Sequence, residues 1–97
     1  MLNSKQRAKL RSLAQTEAPV TQLGKSGVND AFIDGLDKAI EKRQLIKITV
    51  LENSGYEPKT VGFEIAEKLS AEFVCATGRK LVFYRRNVKS EINLLAD

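Results

Sequence analysis

The chain contains no histidine and no tryptophan, and it has one cysteine among its 97 residues. Histidine is the side chain most often used as a general base or a transition-metal ligand, so its absence disfavours a hydrolytic triad or a zinc site. The single cysteine, Cys75, excludes an internal disulfide, and its apolar neighbours predict a small buried side chain rather than a reactive thiol. We therefore expect no enzyme, no catalytic residue, no metal and no cofactor.

Long apolar segments are also missing. No apolar run approaches the roughly 18 residues of a membrane-spanning helix, and the basic N-terminal segment lacks the continuous apolar stretch of a signal peptide. We expect a cytoplasmic protein with neither a membrane partner nor a small-molecule substrate. Ninety-seven residues suffice for one hydrophobic core but not for two, so we expect a single compact domain, and a monomer.

Positive charge is in excess and lies mainly in two segments. Sixteen Lys and Arg residues against twelve Asp and Glu give a net charge of +4. The first acid-free segment precedes residue 17 and contains Lys5, Arg7, Lys9 and Arg11. The second covers residues 79–89 and contains Arg79, Lys80, Arg85, Arg86 and Lys89. Such clusters are expected of a nucleic-acid-binding protein, although a solvated helix face or a soluble strand edge would also explain them.

Apolar periodicity predicts three helices and four strands. The helices are expected near residues 4–15, 30–42 and 61–69, and the strands near 20–23, 45–51, 73–77 and 80–85. The predicted N-caps are Asn3 or Ser4, Asn29 or Asp30, and Thr60. This order, α-β-α-β-α-β-β, indicates an α/β domain with a four-stranded mixed sheet covered by helices on one face or both. Two strand–helix–strand crossovers predict parallel neighbours, and the last two strands a hairpin.

The segment Gly24-Lys25-Ser26-Gly27 lies between a predicted strand and a predicted helix. Neither glycine carries a Cβ that would block a phosphate backbone, Lys25 supplies charge, and the helix start offers unpaired N–H groups. The alternative is that both glycines merely relax a tight connection. The pattern is short enough to arise by chance, so the rest of the sequence must decide between RNA contact and a purely structural turn.

The rest of the sequence resembles a known family. The segments LRSLAQ, LGKSGV, LIKITVL and GRKLVFYRR, in this order and spacing, are similar to the CRM domain (chloroplast RNA splicing and ribosome maturation), and in particular to its stand-alone bacterial YhbY group. The resemblance covers roughly residues 2–86, so we expect an RNA-binding domain at 1–86 and a tail at 87–97 that folds back in part. One departure is Glu17-Ala18, where the family often carries more basic or polar character.

The resemblance implies a fold similar to the C-terminal domain of a bacterial translation initiation factor, with a Gly-x-x-Gly loop implicated in RNA binding. It also implies an association with precursors of the large ribosomal subunit. Together with the charge pattern, it gives the following candidate RNA contacts: Gly24, Lys25, Ser26, Gly27, Lys47, Arg79, Lys80, Arg85, Arg86, Lys5, Arg7, Lys9 and Arg11.

The leading hypothesis is an assembly factor that binds large-subunit ribosomal RNA. The alternative is a protein–protein adaptor for an acidic ribosomal or translational partner. A phosphate-handling enzyme ranks last, because the loop lacks the Gly-x-x-x-x-Gly-Lys-Ser/Thr pattern. Phe83 or Tyr84 could stack on a base, although core packing is the favoured interpretation. We also expect Gly27→Asp to lower RNA affinity with little loss of melting temperature.

Overall fold

The computed structural model describes residues 2–95. Its helices are α1 (Ser4–Ala14), α2 (Asp30–Arg43) and α3 (Pro58–Leu69). Its strands are β1 (Thr21–Leu23), β2 (Leu45–Val50), β3 (Glu72–Thr77) and β4 (Lys80–Tyr84), and a short 3-10 turn covers Glu52–Ser54. The predicted α/β class and element order are confirmed.

The strand order in the sheet is β1-β2-β4-β3. The first crossover makes β1 and β2 parallel neighbours, as predicted. The prediction that β2 and β3 are also neighbours is wrong, because β4 lies between them and is antiparallel to both. The apolar run of β4 explains this correction. All four residues from Leu81 to Tyr84 are buried, and a strand that is buried on both faces belongs at the centre of a sheet.

Helices cover both faces of the sheet. On one face, α2 and α3 bury Leu36, Ile40 and Ile65 against Ile48 and Phe83. On the other face, α1 covers only part of the sheet and packs against a second, smaller apolar cluster. This cluster consists of Leu10, Ala14, Leu45, Val74, Val82 and Tyr84.

The segment after β4 returns to the α1 side of the sheet. Leu94 and Leu95 pack against the smaller cluster, and Gln44 Nε2 donates to the carbonyl of Ile92 at 2.9 Å. Gln44 is buried, so this bond satisfies a polar group that would otherwise be costly. The predicted tail therefore contacts the domain through Leu94, Leu95 and the Ile92 carbonyl, and its last two residues, 96 and 97, lie outside the described residues.

Side-chain caps fix the helix starts. Asn3 and Gln6 form a capping box on α1, and the Asn29 side chain accepts from the Phe32 amide at 2.8 Å. The Thr60 prediction is wrong: α3 starts earlier, and Glu57 is its cap, accepting from the Thr60 amide at 2.6 Å. Pro58 suits the first helical position, which needs no N–H. The hydrogen bonds from Thr60 hold the pKa of Glu57 below its ordinary value of 4.5.

Candidate nucleic-acid interface

The glycine segment forms a tight turn between β1 and α2. The Gly27 amide donates to the Gly24 carbonyl at 3.1 Å, which places Lys25 and Ser26 at the exposed tip. No acceptor within residues 2–95 takes up the amide of either tip residue. Successive free N–H groups in a turn form a concave site that suits an anion's oxygens. The turn therefore presents two unpaired backbone N–H groups at its exposed tip.

The two glycines of this turn serve different purposes. Gly27 has φ of +80°, and a Cβ there would lie 2.7 Å from Tyr56 Oη. A Cβ at Gly24 would make only an ordinary 3.6 Å contact with Leu51 Cδ1. The structure therefore does not support the expectation that Gly27→Asp spares stability, because a side chain at 27 is strained and displaces Tyr56. A substitution at Gly24 can therefore test contact with RNA without a large loss of stability.

Tyr56 and Arg79 support the turn through hydrogen bonds to the backbone around it. The Val28 amide donates to Tyr56 Oη at 3.3 Å. Arg79 donates through Nε to Val50 O at 2.6 Å, and through Nη2 to Leu51 O at 3.0 Å and Tyr56 O at 3.3 Å. One guanidinium thus fixes the segment that carries Tyr56. Sequence reasoning missed Tyr56, since a lone tyrosine in a connecting segment has no periodicity or motif to indicate its role.

A polar row crosses the sheet next to the turn, on the face that α1 leaves partly open. Gln22 pairs with Thr49, Thr49 with Lys80, and Lys80 with Thr77. Residues paired in this way share a face, and Gln22 precedes Gly24 by two positions. Lys80 thus lies two strand spacings, about 10 Å, from the strand that leads into the turn.

A groove of about 250 Å³ lies between α1 and this part of the sheet. Its basic lining residues are Arg11, Lys47 and Lys80, and no carboxylate lines it. Lys47 Nζ also donates to the Ala14 carbonyl at 3.0 Å, so part of its role is to tie α1 to the sheet. We call this feature the basic groove. It brings together three cations that are far apart in sequence.

Cys75 also lines the basic groove. Burial raises the pKa of its thiol above the ordinary value of 9.0, which keeps the sulfur protonated near neutrality. The prediction of a buried side chain is wrong, because Cys75 is only partly buried, while the raised pKa agrees with the interpretation of an unreactive thiol.

The remaining basic residues of α1 lie elsewhere. Lys5 and Lys9 line a separate groove of about 230 Å³ together with Leu95. Arg7 donates through Nη1 to the carbonyls of Phe73 at 2.7 Å and Val74 at 3.0 Å. The four basic residues of this helix therefore do not form one surface.

Arg85 and Arg86 lie beyond the opposite end of β4 from Lys80. Arg85 forms ion pairs with Asp37 at 2.8 Å and Glu41 at 3.1 Å, so its charge is locally balanced. Arg86 donates to Gln44 Oε1 at 3.2 Å and anchors the returning C-terminal segment through further carbonyls. The structure does not bring this pair together with the turn.

Neither aromatic residue of β4 is accessible to a base. Phe83 is fully buried between the sheet and the helices, and only 5% of Tyr84 is exposed. The core-packing interpretation of both is confirmed. Within residues 2–95, no group of His, Cys, Asp or Glu side chains is arranged to hold a metal ion. No helix in that range is long and apolar enough to cross a membrane.

The fold and this site define a small α/β domain in which a strand-to-helix Gly-x-x-Gly turn lies at the same end of the sheet as Lys80 of the basic groove. The profile of the CRS1 / YhbY (CRM) domain matches residues 2–85. The chain therefore belongs to the CRM domain family, as the sequence motifs predicted.

Several relatives span almost the whole chain. "Probable RNA-binding protein YqeI" of Bacillus subtilis is 34% identical over 91 residues, which cover 94% of this chain and 95% of that protein. A Haemophilus influenzae "RNA-binding protein" is 28% identical over 93 residues, 96% of this chain and 94% of its own length. The solution structure of the hypothetical protein SAV1595 from Staphylococcus aureus superposes with a TM-score of 0.66 at 36% identity, covering 96% and 94% of the two chains.

Proposed function

We propose that the protein binds RNA through the turn 24–27 and the basic groove, and that it does so as an assembly factor on precursors of the large ribosomal subunit. The observation that carries the proposal is that the turn lies at the same end of the sheet as Lys80, which lines a groove with three cations and no carboxylate. Two relatives along nearly the full chain are named for RNA binding, which supports it further. The ribosomal partner rests on the family resemblance.

The amides of Lys25 and Ser26 would hold one phosphate, and the Lys25 ammonium would neutralise it. The polar row then leads to the basic groove, where Arg11, Lys47 and Lys80 meet the next phosphates. Phosphate contacts of this kind position an RNA without reading its sequence. The proposed act is binding alone, by a cytoplasmic monomer, with no catalysed reaction and no cofactor.

The other candidate residues have secondary roles in this proposal. Arg7, Arg79, Arg85 and Arg86 each donate to at least two backbone carbonyls, so we assign them chiefly to the support of the interface. Lys47 donates to one carbonyl and also lines the basic groove, so we keep it among the cations that face RNA. Lys5 and Lys9, on the far side of α1, extend the positive field at its edge. Four residues remain as the principal cations that face RNA: Arg11, Lys25, Lys47 and Lys80.

The salt dependence of binding tests this assignment. Four neutralised phosphates predict a slope of log affinity against log salt of about −2.8 to −3.6. Lys25→Ala should flatten the slope by roughly 0.7–0.9 and leave the melting temperature unchanged, because Lys25 is exposed and its side chain has no hydrogen-bond partner among residues 2–95. The measurement is fluorescence anisotropy of a labelled ribosomal RNA fragment between about 50 and 200 mM KCl.

Lys42→Ala is the matched control, since Lys42 is equally exposed but lies in the last turn of α2, away from the turn 24–27. It should change the slope much less. A flat salt response of the unmodified protein would contradict phosphate binding. Equal effects of the two substitutions would contradict the location of the site.

A further inference from the structure

Phe63 is a large aromatic side chain that the fold leaves in solvent. It lies on α3 and is 66% exposed. Its ring meets Phe73 in an edge-to-face contact, with centroids 5.0 Å apart and planes at 90°. Phe73 in turn stacks on the buried Phe83 at 5.6 Å. The exposed ring is therefore anchored to the core through two aromatic contacts.

Close packing fixes Phe73, the ring on which Phe63 rests. A Cβ at Gly62 would lie 2.5 Å from Phe73 Cζ, so Phe73 fits against α3 only because residue 62 is glycine. Phe63 therefore rests by its edge contact on a neighbour that is itself fixed, and it presents an exposed apolar ring on which a ligand can stack.

Cations flank this surface. A cleft of about 320 Å³ is lined by Phe63, Phe73, the middle of β3, Arg7 and Lys59, and no carboxylate lines it. Lys59 precedes Phe63 by one helical turn, so both project from the same side of α3. The nearest acid along that side of the helix is Glu67, one turn beyond Phe63. An aromatic ring between two cations suits a nucleotide, which offers a π face and a phosphate.

The adjoining strand edge disfavours a protein strand as the occupant. β3 is at the edge of the sheet, where a partner's strand could add by main-chain hydrogen bonds. The Arg7 guanidinium already takes up the carbonyls of Phe73 and Val74, at 2.7 and 3.0 Å. The edge is thereby blocked at these positions, while the Phe63 ring stays accessible.

We propose that Phe63 is a stacking platform for an unpaired nucleobase, with Lys59 neutralising the adjacent phosphate and Arg7 holding the edge of β3 beside it. This inference rests on the proposed RNA binding and adds a preference for RNA with a single-stranded segment. β3 is three strand spacings, about 14 Å, from β1, and the pairing of Phe73 with Phe83 and of Phe83 with Ile46 puts the platform toward the end of the sheet opposite to the turn 24–27. A bound RNA therefore reaches both edges of the sheet.

The test compares two labelled RNAs, a closed duplex hairpin and the same hairpin with an unpaired extension. Phe63→Ala should weaken binding of the extended RNA by at least about fivefold and leave the duplex nearly unaffected. The salt slope should not change, because stacking neutralises no phosphate. Phe63→Trp should retain the affinity.

The Phe63→Trp protein also reports the contact directly, because the chain has no other tryptophan. Its fluorescence should be quenched by the unpaired extension. Val88→Trp is the matched control at an 83% exposed position away from the cleft, and its fluorescence should not change.

The outcomes separate this inference from the proposed function. If Phe63→Ala left the affinity for the extended RNA unchanged while Lys25→Ala lowered it, the stacking platform would be overturned and phosphate binding would stand. Equal losses for both RNAs, accompanied by a lower melting temperature, would assign Phe63 to the fold and also overturn it. If the unmodified protein bound neither RNA, the proposed function would fail and the platform with it.

Discussion

Arg79→Ala is expected to lower the free energy of unfolding by about 3 kcal/mol, although Arg79 lies at the tip of a hairpin. Its guanidinium donates to three carbonyls, of Val50, Leu51 and Tyr56, at 2.6, 3.0 and 3.3 Å. A hydrogen bond to a charged group contributes roughly 1.5–3 kcal/mol, and part-buried carbonyls left without a donor add a cost. For a domain of this size, the melting temperature should fall by roughly 12–24 °C.

The adjacent Lys80 is the matched control. It is exposed, so Lys80→Ala should change stability by no more than about 0.5 kcal/mol. It should instead weaken RNA binding and flatten its salt dependence, as for Lys25. Arg79→Lys should not restore stability, because an ammonium cannot reproduce the planar fork of donors. Thermal unfolding by circular dichroism checks all three variants. Equal melting temperatures for Arg79→Ala and Lys80→Ala would contradict the structural role of Arg79.

Gly27→Ala is expected to cost about 2 kcal/mol, while Gly24→Ala should cost little. Residue 27 has φ of +80°, and left-handed backbone costs a residue with a Cβ about 1–2 kcal/mol. The new Cβ would also displace Tyr56 Oη and weaken its hydrogen bond with the Val28 amide. The melting temperature of Gly27→Ala should therefore fall by roughly 8–16 °C.

A double substitution tests the cause of that loss. Tyr56→Phe removes the hydroxyl that the new Cβ would meet, so the cost of Gly27→Ala should be smaller in a Tyr56→Phe background. Purely additive free energies would show that Tyr56 does not constrain residue 27. Gly24→Asp then serves as the functional probe, and it should weaken RNA binding through charge repulsion with little change in melting temperature.

Local sequence signals predicted most of the fold. The Asn3 and Asn29 caps, the apolar face of α2 and the β-branched run of β2 depend on near neighbours along the chain, and the structure has them as expected. The insertion of β4 between β2 and β3 depends on contacts between distant segments. The continuous apolar run Leu81–Tyr84 was the available signal, since it indicates a strand buried on both faces.

The roles of the basic residues were harder to predict, for a physical reason. A long cationic side chain at the surface can extend into solvent or fold back to a carbonyl, and only the tertiary structure decides. Arg79 and Lys80 are adjacent in sequence, yet the first ties together the backbone behind the turn and the second faces the groove. Tyr56 and Phe63 carried no motif, because their importance comes from what the fold places beside them.

The central proposal is that this protein binds RNA on precursors of the large ribosomal subunit. The most direct measurement is sedimentation of a native cell lysate through a sucrose gradient, with and without nuclease, followed by detection of the protein across the fractions. The account predicts migration with free large subunits or their precursors, lost after nuclease treatment and reduced by Lys25→Ala combined with Lys80→Ala. A position at the top of the gradient in both samples would contradict it, and co-migration with a partner that survives nuclease would indicate a protein–protein adaptor instead.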